Sequence, residues 1–197
     1  MRPARIPPFA RLVAAALAVA LAAGPARAGA IVDRAEEAEV QLSSGNAVKA
    51  LASVEAAFNT VWDRAPLGFS EALFVAGKPE GFGIYQARTG NVFRTGEDML
   101  VYAEPFGFGY GEDGEGFRIT FDADYELRNA RGQIMTAQSG FAVLDTATRR
   151  RNKEFQVFVT YSFAGLKPGD YVLVTTLRDR NSDKKGSFEL PFTIAAP

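Results

Sequence analysis

The chain has 197 residues, with 22 basic and 23 acidic side chains, 16 phenylalanines, and neither histidine nor cysteine. Those two missing residue types exclude Ser-His-Asp and Cys-His nucleophiles, ordinary zinc, haem and iron-sulfur sites, and any disulfide brace within this sequence. The balanced-to-acidic charge, without a basic stripe, also argues against nucleic acid as a partner, because phosphate binding asks for clustered Lys and Arg.

Taken from the start, Arg2, Arg5 and Arg11 precede the apolar run Leu12 to Ala23, which is followed by Gly24-Pro25 and the small-residue site Ala26-Arg27-Ala28. That is the layout of a secretory signal peptide. The apolar run is about a dozen residues, short of the roughly 20 that a membrane-spanning helix needs. Residues 1–28 are therefore expected to be cleaved after Ala28, leaving a soluble chain with no transmembrane span. The alanine-rich core points to a bacterial periplasm or the exterior. A lipid-modified cysteine anchor is excluded for want of cysteine, and the leader's four arginines leave the remainder more acidic than the whole.

Residues 29–66 show a helical period. Ile31, Ala35, Ala38 and Leu42 recur at helical spacing before the breaker Ser43-Ser-Gly-Asn46, whose Asn46 is placed to cap a second helix. That second helix carries Val48, Leu51, Val54, Phe58 and Val61 on one stripe and stops before Pro66. The pair reads as an αα-hairpin. It is too small to bury both apolar faces by itself, so it must dock on the rest of the chain, the favoured reading, or offer a helical surface to a partner.

Residues 67–197 change to a period of two. In Phe117 to Leu127 the apolar Phe117, Ile119, Phe121, Ala123, Tyr125 and Leu127 alternate with Arg118, Thr120, Asp122, Asp124 and Glu126, the pattern of a strand with one wet face. Similar runs lie at 72–75, 82–87, 99–104, 133–143, 155–163, 171–177 and 188–194. Turn signals such as Arg88-Thr-Gly-Asn91, Asn129-Ala-Arg-Gly132 and Lys167-Pro-Gly-Asp170 separate them. Pro191 marks the last run as an edge strand or a bulge. The fold class expected is mainly β: an antiparallel immunoglobulin-like sandwich of 7–8 strands preceded by an αα-hairpin.

The stretch Lys167-Pro-Gly-Asp-Tyr171 leading to Leu177, followed by a polar loop and Ser187-Phe-Glu-Leu-Pro-Phe-Thr-Ile194, resembles the closing hairpin of bacterial immunoglobulin-like or fibronectin-type sandwiches. With Met99-Leu-Val-Tyr-Ala-Glu-Pro105 it is also similar to a group of uncharacterised exported bacterial proteins. The resemblance runs over about residues 68 to 195. It rests on structural turns and implies fold and compartment only; the cysteine pair and core-tryptophan pattern of true immunoglobulin domains are missing.

Gly109-Tyr-Gly111-Glu-Asp-Gly114 matches the dinucleotide fingerprint G-x-G-x-x-G. That motif works only between a strand and a helix whose N-terminus receives the pyrophosphate. Here a strand follows, and Glu112, Asp113 and Glu115 would repel phosphate, so no nucleotide is expected. The same loop carries Phe106, Phe108 and Tyr110, which either cap the end of the sandwich core or face a ligand beside carboxylates. Phe106, Phe108, Tyr110, Glu112 and Asp113 are therefore the ligand-contact candidates.

Other chemistry is sparse. Asp122 and Asp124 share a wet strand face and Glu104 precedes Pro105, but alternating acids on such a face ordinarily keep a sheet soluble. Ser44 with Lys49 and Ser182 with Lys184 have no supporting motif, and Arg149-Arg-Arg151 with Lys153 reads as a solvated loop or an anion-facing cluster. Calcium ligation by Glu112, Asp113 and Glu115 lacks the EF-hand spacing. No catalytic residue, cofactor or metal is assigned. The expected function is a non-enzymatic periplasmic or secreted binding module of the bacterial cell envelope, recognising an envelope protein or surface polymer. The alternatives are an accessory structural subunit of an envelope assembly, or a carboxylate-dependent enzyme acting on glycans.

Overall fold

The computed structural model describes residues 29–196, so the expected signal peptide at 1–28 lies outside the described residues. Helix α1 spans Ala30–Ser43 and α2 spans Ala47–Arg64. The chain reverses at Gly45, whose φ of +76° is in the left-handed region. Its N–H bonds the Leu42 carbonyl at 3.0 Å and the Asn46 N–H bonds the Gln41 carbonyl at 2.8 Å, the paired bonds of a Schellman stop. Asn46 does occupy the cap position of α2, but its side chain makes no capping bond. Its backbone is already committed to closing α1. The second helix ends where Pro66 drives Ala65 into extended backbone, with ψ at 147°.

Nine strands follow among the described residues. A three-stranded antiparallel sheet has the order β1 (Gly68–Phe74), β3 (Met99–Phe106), β7 (Val157–Tyr161). Facing it is a six-stranded sheet built on β5 (Gly116–Asn129), β8 (Gly169–Asp179) and β9 (Lys185–Ile194). Its edges hold β2 (Val92–Phe93), β4 (Gly111–Asp113) and β6 (Ile134–Thr148). All pairings are antiparallel except β2 on β9. The result is an antiparallel immunoglobulin-like sandwich behind an αα-hairpin.

The two-residue period fixes which side chains meet. Ile119, Phe121, Ala123 and Leu127 of β5 are fully buried, as are Leu173 and Leu177 of β8, and they pack against Met99, Val101, Ala103, Val157 and Val159 of the smaller sheet. Each fully buried Leu, Ile or Phe contributes about 1.5–3 kcal/mol relative to exposure. One polar pair crosses this core: the Tyr161 and Thr175 hydroxyls lie 2.7 Å apart and share one hydrogen bond. Pro191 lies on β9 where β2 does not reach, since β2 pairs only with Thr193 and Ile194. That is the edge position its missing N–H requires.

Three details differ from the sequence expectation. The run 82–87 is not a strand; apart from the isolated bridges Val75↔Ala87 and Gly81↔Ile84, it is a loop lying over the smaller sheet. There Tyr85 packs on Tyr102 with ring centroids 4.3 Å apart, and the Gly83 N–H bonds the Tyr102 hydroxyl at 2.8 Å. Tyr85 covers the outer face of the sheet, whereas Phe82 and Ile84 are exposed. Two short strands, β2 and β4, were not foreseen, because two or three residues carry no readable period. The third difference concerns the hairpin, whose stripe Val48, Leu51, Val54, Phe58 and Val61 stays exposed.

Candidate functional site

The glycine-rich segment is a structural junction. It runs from the end of β3 through β4 into β5, and β4 pairs with the start of β5 as a hairpin with Asp113 opposite Gly116. Gly114 takes φ of +58° at the first turn position, where type II′ turns place glycine. At Gly107 the backbone has φ of +76° and passes so close to the Pro66 carbonyl that any Cβ would strike it. The glycines of this segment thus serve positive φ and close approach.

Hydrogen bonds and rings fasten this junction to α2. Trp62 donates its indole N–H to the Phe108 carbonyl at 2.8 Å, and the two rings meet edge to face at 5.0 Å. Lys184 donates to the carbonyls of Asp63 and Gly107 at 2.9 and 2.6 Å, so one ammonium ties the C-terminal turn of α2 to the loop. Buried Asp179 accepts the Gly109 N–H at 2.6 Å and the Asn181 N–H at 2.9 Å, and also takes the Ser182 hydroxyl. A carboxylate with three donors is an anchor with little capacity left for a ligand.

The five ligand-contact candidates separate. Phe108 is fully buried, with Phe121 and Phe155 at 5.7 and 5.9 Å, and forms the core cap. Tyr110 is half-buried; Arg151 lies over its ring at 4.7 Å and its hydroxyl donates to the Asn152 carbonyl at 2.9 Å. Burial pushes its phenol up to about 12. Asp113 pairs with Arg118 at 3.0 Å. Phe106 and Glu112 alone are exposed, at opposite ends of the loop. The junction therefore brings Phe108 and Tyr110 together against α2 and does not assemble the five around one cleft. A shallow depression of about 370 Å³ beside Asp113 and Glu115 is bordered by Arg149, whose ion pair with Glu115 at 3.8 Å is almost fully exposed.

The basic cluster divides: Arg149 and Arg150 are exposed, while Arg151 and Lys153 are used internally. Arg151 pairs with Asp63 as well as covering Tyr110, and the Lys153 ammonium lies 5.2 Å from the Phe58 ring and 5.8 Å from that of Trp62. The wet-face acids are likewise partnered. Arg178 grips Asp124 through two bonds of 2.8 and 2.9 Å, and Arg180 grips Asp122 at 3.0 and 2.6 Å. The Arg178 bond, with the Gly140 N–H and the Ser139 hydroxyl, holds the Asp124 carboxyl down at about 2, and the Arg180 bond lowers that of Asp122. Both are fixed anions, unsuited to carrying a proton near neutrality. Neither serine-lysine pair forms a dyad: the Ser182 hydroxyl donates to Asp179 while the Lys184 ammonium points to backbone, and the Ser44 hydroxyl donates to the Val40 carbonyl.

Glu104 is the buried carboxylate of the smaller sheet. Its oxygens accept the Tyr102 hydroxyl at 2.6 Å and the Ser70 hydroxyl at 3.1 Å, beneath the 82–87 loop. Tyr102, pushed up to about 12 chiefly by burial, stays a donor to it. Among the described residues no group of three or more Asp or Glu side chains is placed to hold a metal.

The largest unsatisfied feature is apolar. Val48, Leu51, Val54, Phe58 and Val61 of α2 are between 46% and 83% exposed, while the buried positions of the hairpin are Ala38, Ala50, Ser53 and Trp62. The helices pack on each other through small residues, and the hairpin meets the sandwich at the last turn of α2. The stripe was legible in the sequence; that it faces outward was not. The reason is that Trp62, with the Lys184 and Arg151 bonds to Asp63, does the docking that the stripe was expected to do.

No family model matches the chain, and no curated protein matches it in sequence. Among solved structures it is similar to the CARDB domain of a Pyrococcus furiosus protein solved in complex with di-metal ions. That match has 10% identity and a TM-score of 0.29, covering 68% of this chain and 96% of that one. It is also similar to Spo0M, a sporulation control protein of Bacillus subtilis, at 9% identity and a TM-score of 0.33, covering 68% of this chain and 51% of that one.

Proposed function

We propose that this chain is an exported, non-enzymatic binding module of the bacterial cell envelope. In this reading the sandwich is the scaffold and the exposed face of α2 is the contact surface for an envelope protein. The observation that carries it is the row Val48, Leu51, Val54, Phe58 and Val61, apolar at helical spacing and open to solvent. Covering such side chains removes apolar area from water, the term that drives most protein–protein association. The hairpin that bears the stripe also carries Asp33, Glu36, Glu37, Glu39 and Glu55 against Arg34, Lys49 and Arg64, with Asp63 already paired to Arg151. The complementary partner is an amphipathic helix with an apolar face and basic flanks, laid against α2 as in helix-in-groove recognition. The export signal expected at residues 1–28 supports a partner in the envelope, and the arginine-bound state of Asp122 and Asp124 supports a role without catalysis.

The test is site-specific photo-crosslinking in intact cells from a reactive residue at Leu51. A discrete cross-linked envelope protein, lost in the Val48→Glu/Val54→Glu variant while its melting curve is unchanged, is the expected result. A cross-linker that captures nothing at Leu51, in cells where the chain is exported, overturns the reading.

A further inference from the structure

Strand β7 is a free edge of the smaller sheet. It pairs with β3, and its other side makes no backbone hydrogen bond among the described residues. Natural sheets blunt a free edge by brevity, by charged side chains, or by Pro and bulges that turn it away. Val157–Tyr161 uses only the first of these: it holds no charge and no Pro, and its register with β3 runs unshifted from end to end. The opposite edge, β1, carries Glu71 and a register shift beside it. Five residues are a weak template alone, so what lies next to β7 decides whether it takes a strand.

The core is open there. Residues directly opposite in an antiparallel pair share a face, so Ala142, Leu144 and Thr146 of β6, opposite Ala123, Phe121 and Ile119, point toward the smaller sheet. Their β5 partners are fully buried, whereas Ala142 and Leu144 are half-buried and Thr146 is exposed. The smaller sheet ends at β7, before it covers β6. Phe141 and Phe163, both half-buried, bound this open side at one end, their rings 5.2 and 6.1 Å from that of Tyr161. At the other end the chain crosses from β6 back to Val157, and that segment is basic, with Arg149, Arg150, Arg151 and Lys153 against Glu154. Arg151 is committed to Asp63, while Arg149 and Arg150 are exposed, the former 3.8 Å from Glu115. At the Tyr161 end the charge has the opposite sign, where Asp98 accepts the Ser162 hydroxyl.

We propose that the β7 edge binds an extended peptide segment of another protein as an added antiparallel strand. Its alternate apolar side chains lie on Phe141, Ala142 and Leu144, and a carboxylate at its C-terminal end is held by Arg149 and Arg150. Main-chain bonds to β7 supply the pairing and the open core supplies the burial, as in β-strand addition elsewhere. Antiparallel pairing brings the C-terminal end of the peptide to Val157, the basic end, and its N-terminal end to the Asp98 side. Residues 1–28 of this chain have the wrong sign for this lane, with four arginines and no acid. A second copy has the wrong shape. Because β6 projects past β7, two sandwiches collide through β6 before their β7 backbones reach the strand spacing of about 4.8 Å. This surface is separate from the exposed face of α2.

The test uses the protein purified from expressing cells and a library of random peptides slightly longer than β7, displayed with free carboxyl ends. Selected peptides are expected to alternate apolar residues and to carry an acid in their last positions. Their synthetic copies are expected to slow amide exchange across 157–161. The Arg149→Glu/Arg150→Glu variant, with an unchanged melting curve, weakens that binding at least about tenfold. Thr146→Lys, at the exposed end of the open side, weakens it as well. A library that yields no binder, peptides indifferent to the arginine reversal, or protection that falls on 48–61 instead each overturn the proposal. So does protection of 157–161 without peptide, whether it rises with protein concentration, which means a second copy, or requires residues 1–28 to be retained. The α2 reading is tested separately by the envelope cross-link.

Discussion

Trp62 on the last turn of α2 and Phe108 between β3 and β4 form one unit, the indole N–H bonded to the Phe108 carbonyl at 2.8 Å and the rings edge to face at 5.0 Å. This pair fastens the helical hairpin to the sandwich. Trp62→Phe keeps a ring but leaves the buried Phe108 carbonyl without its donor, a loss of about 1–3 kcal/mol. The measurement is urea unfolding by circular dichroism, with hydrogen exchange across 30–64. Faster exchange in both helices, with the strands unchanged, is expected; uniform protection would show that the hairpin is held elsewhere.

Gly107→Ala tests the junction against a mobile ligand loop. The residue must hold φ of +76° while its Cβ strikes the Pro66 carbonyl. Left-handed backbone alone costs a non-glycine residue about 1–2 kcal/mol, and the clash adds to it. A clear fall in melting temperature is expected, whereas a loop free to rearrange would absorb the methyl group with no change.

Acid should expose the arginine ladder. The Asp124 carboxyl is held at about 2, against an ordinary 3.8, by its bonds to Arg178, Gly140 and Ser139. A depressed folded value means the contribution is complete above the ordinary carboxylate range and is lost as pH falls from about 4 toward about 2. Asp124→Asn is expected to lower stability at neutral pH and to flatten its acid dependence over that window. Urea midpoints at a series of pH values check this; parallel curves for both proteins would reject it.

At the alkaline end the sign reverses. Burial pushes Tyr102, Tyr110 and Tyr161 up to about 12, above the ordinary 10.0. The unfolded chain ionises first, so stability present below about 10 declines as pH rises toward about 12. Ultraviolet titration of the six tyrosines is expected to show a late fraction that ionises together with unfolding. A single transition near 10 in the still-folded protein would contradict the burial of these phenols.

Much of the fold was legible because its signals are local. The alternation in Phe117 to Leu127 dictated which residues share a face of the strand, and Ser44-Gly45-Asn46 and Pro66 bounded the helices. The 82–87 run misled because a loop that packs one aromatic, Tyr85, on the outer face of a sheet and leaves Phe82 and Ile84 exposed shows the same alternation as a strand. The candidate site was legible in part. That the glycine-rich stretch is followed by a strand and not by a helix was legible, whereas the partners of that stretch, Trp62, Lys184 and Asp179, lie 46 to 77 positions away from the atoms they bind.

By itself the sequence determined the periodicities, the hairpin, the sandwich class and the chemistries denied to a chain without histidine or cysteine. Only the tertiary structure decided which apolar residues are inside. Val48 and Ile119 both sit on perfect stripes, yet one is the most exposed of its row and the other is fully buried. A period specifies that residues share a face; what that face meets depends on contacts between distant segments, which no local pattern encodes.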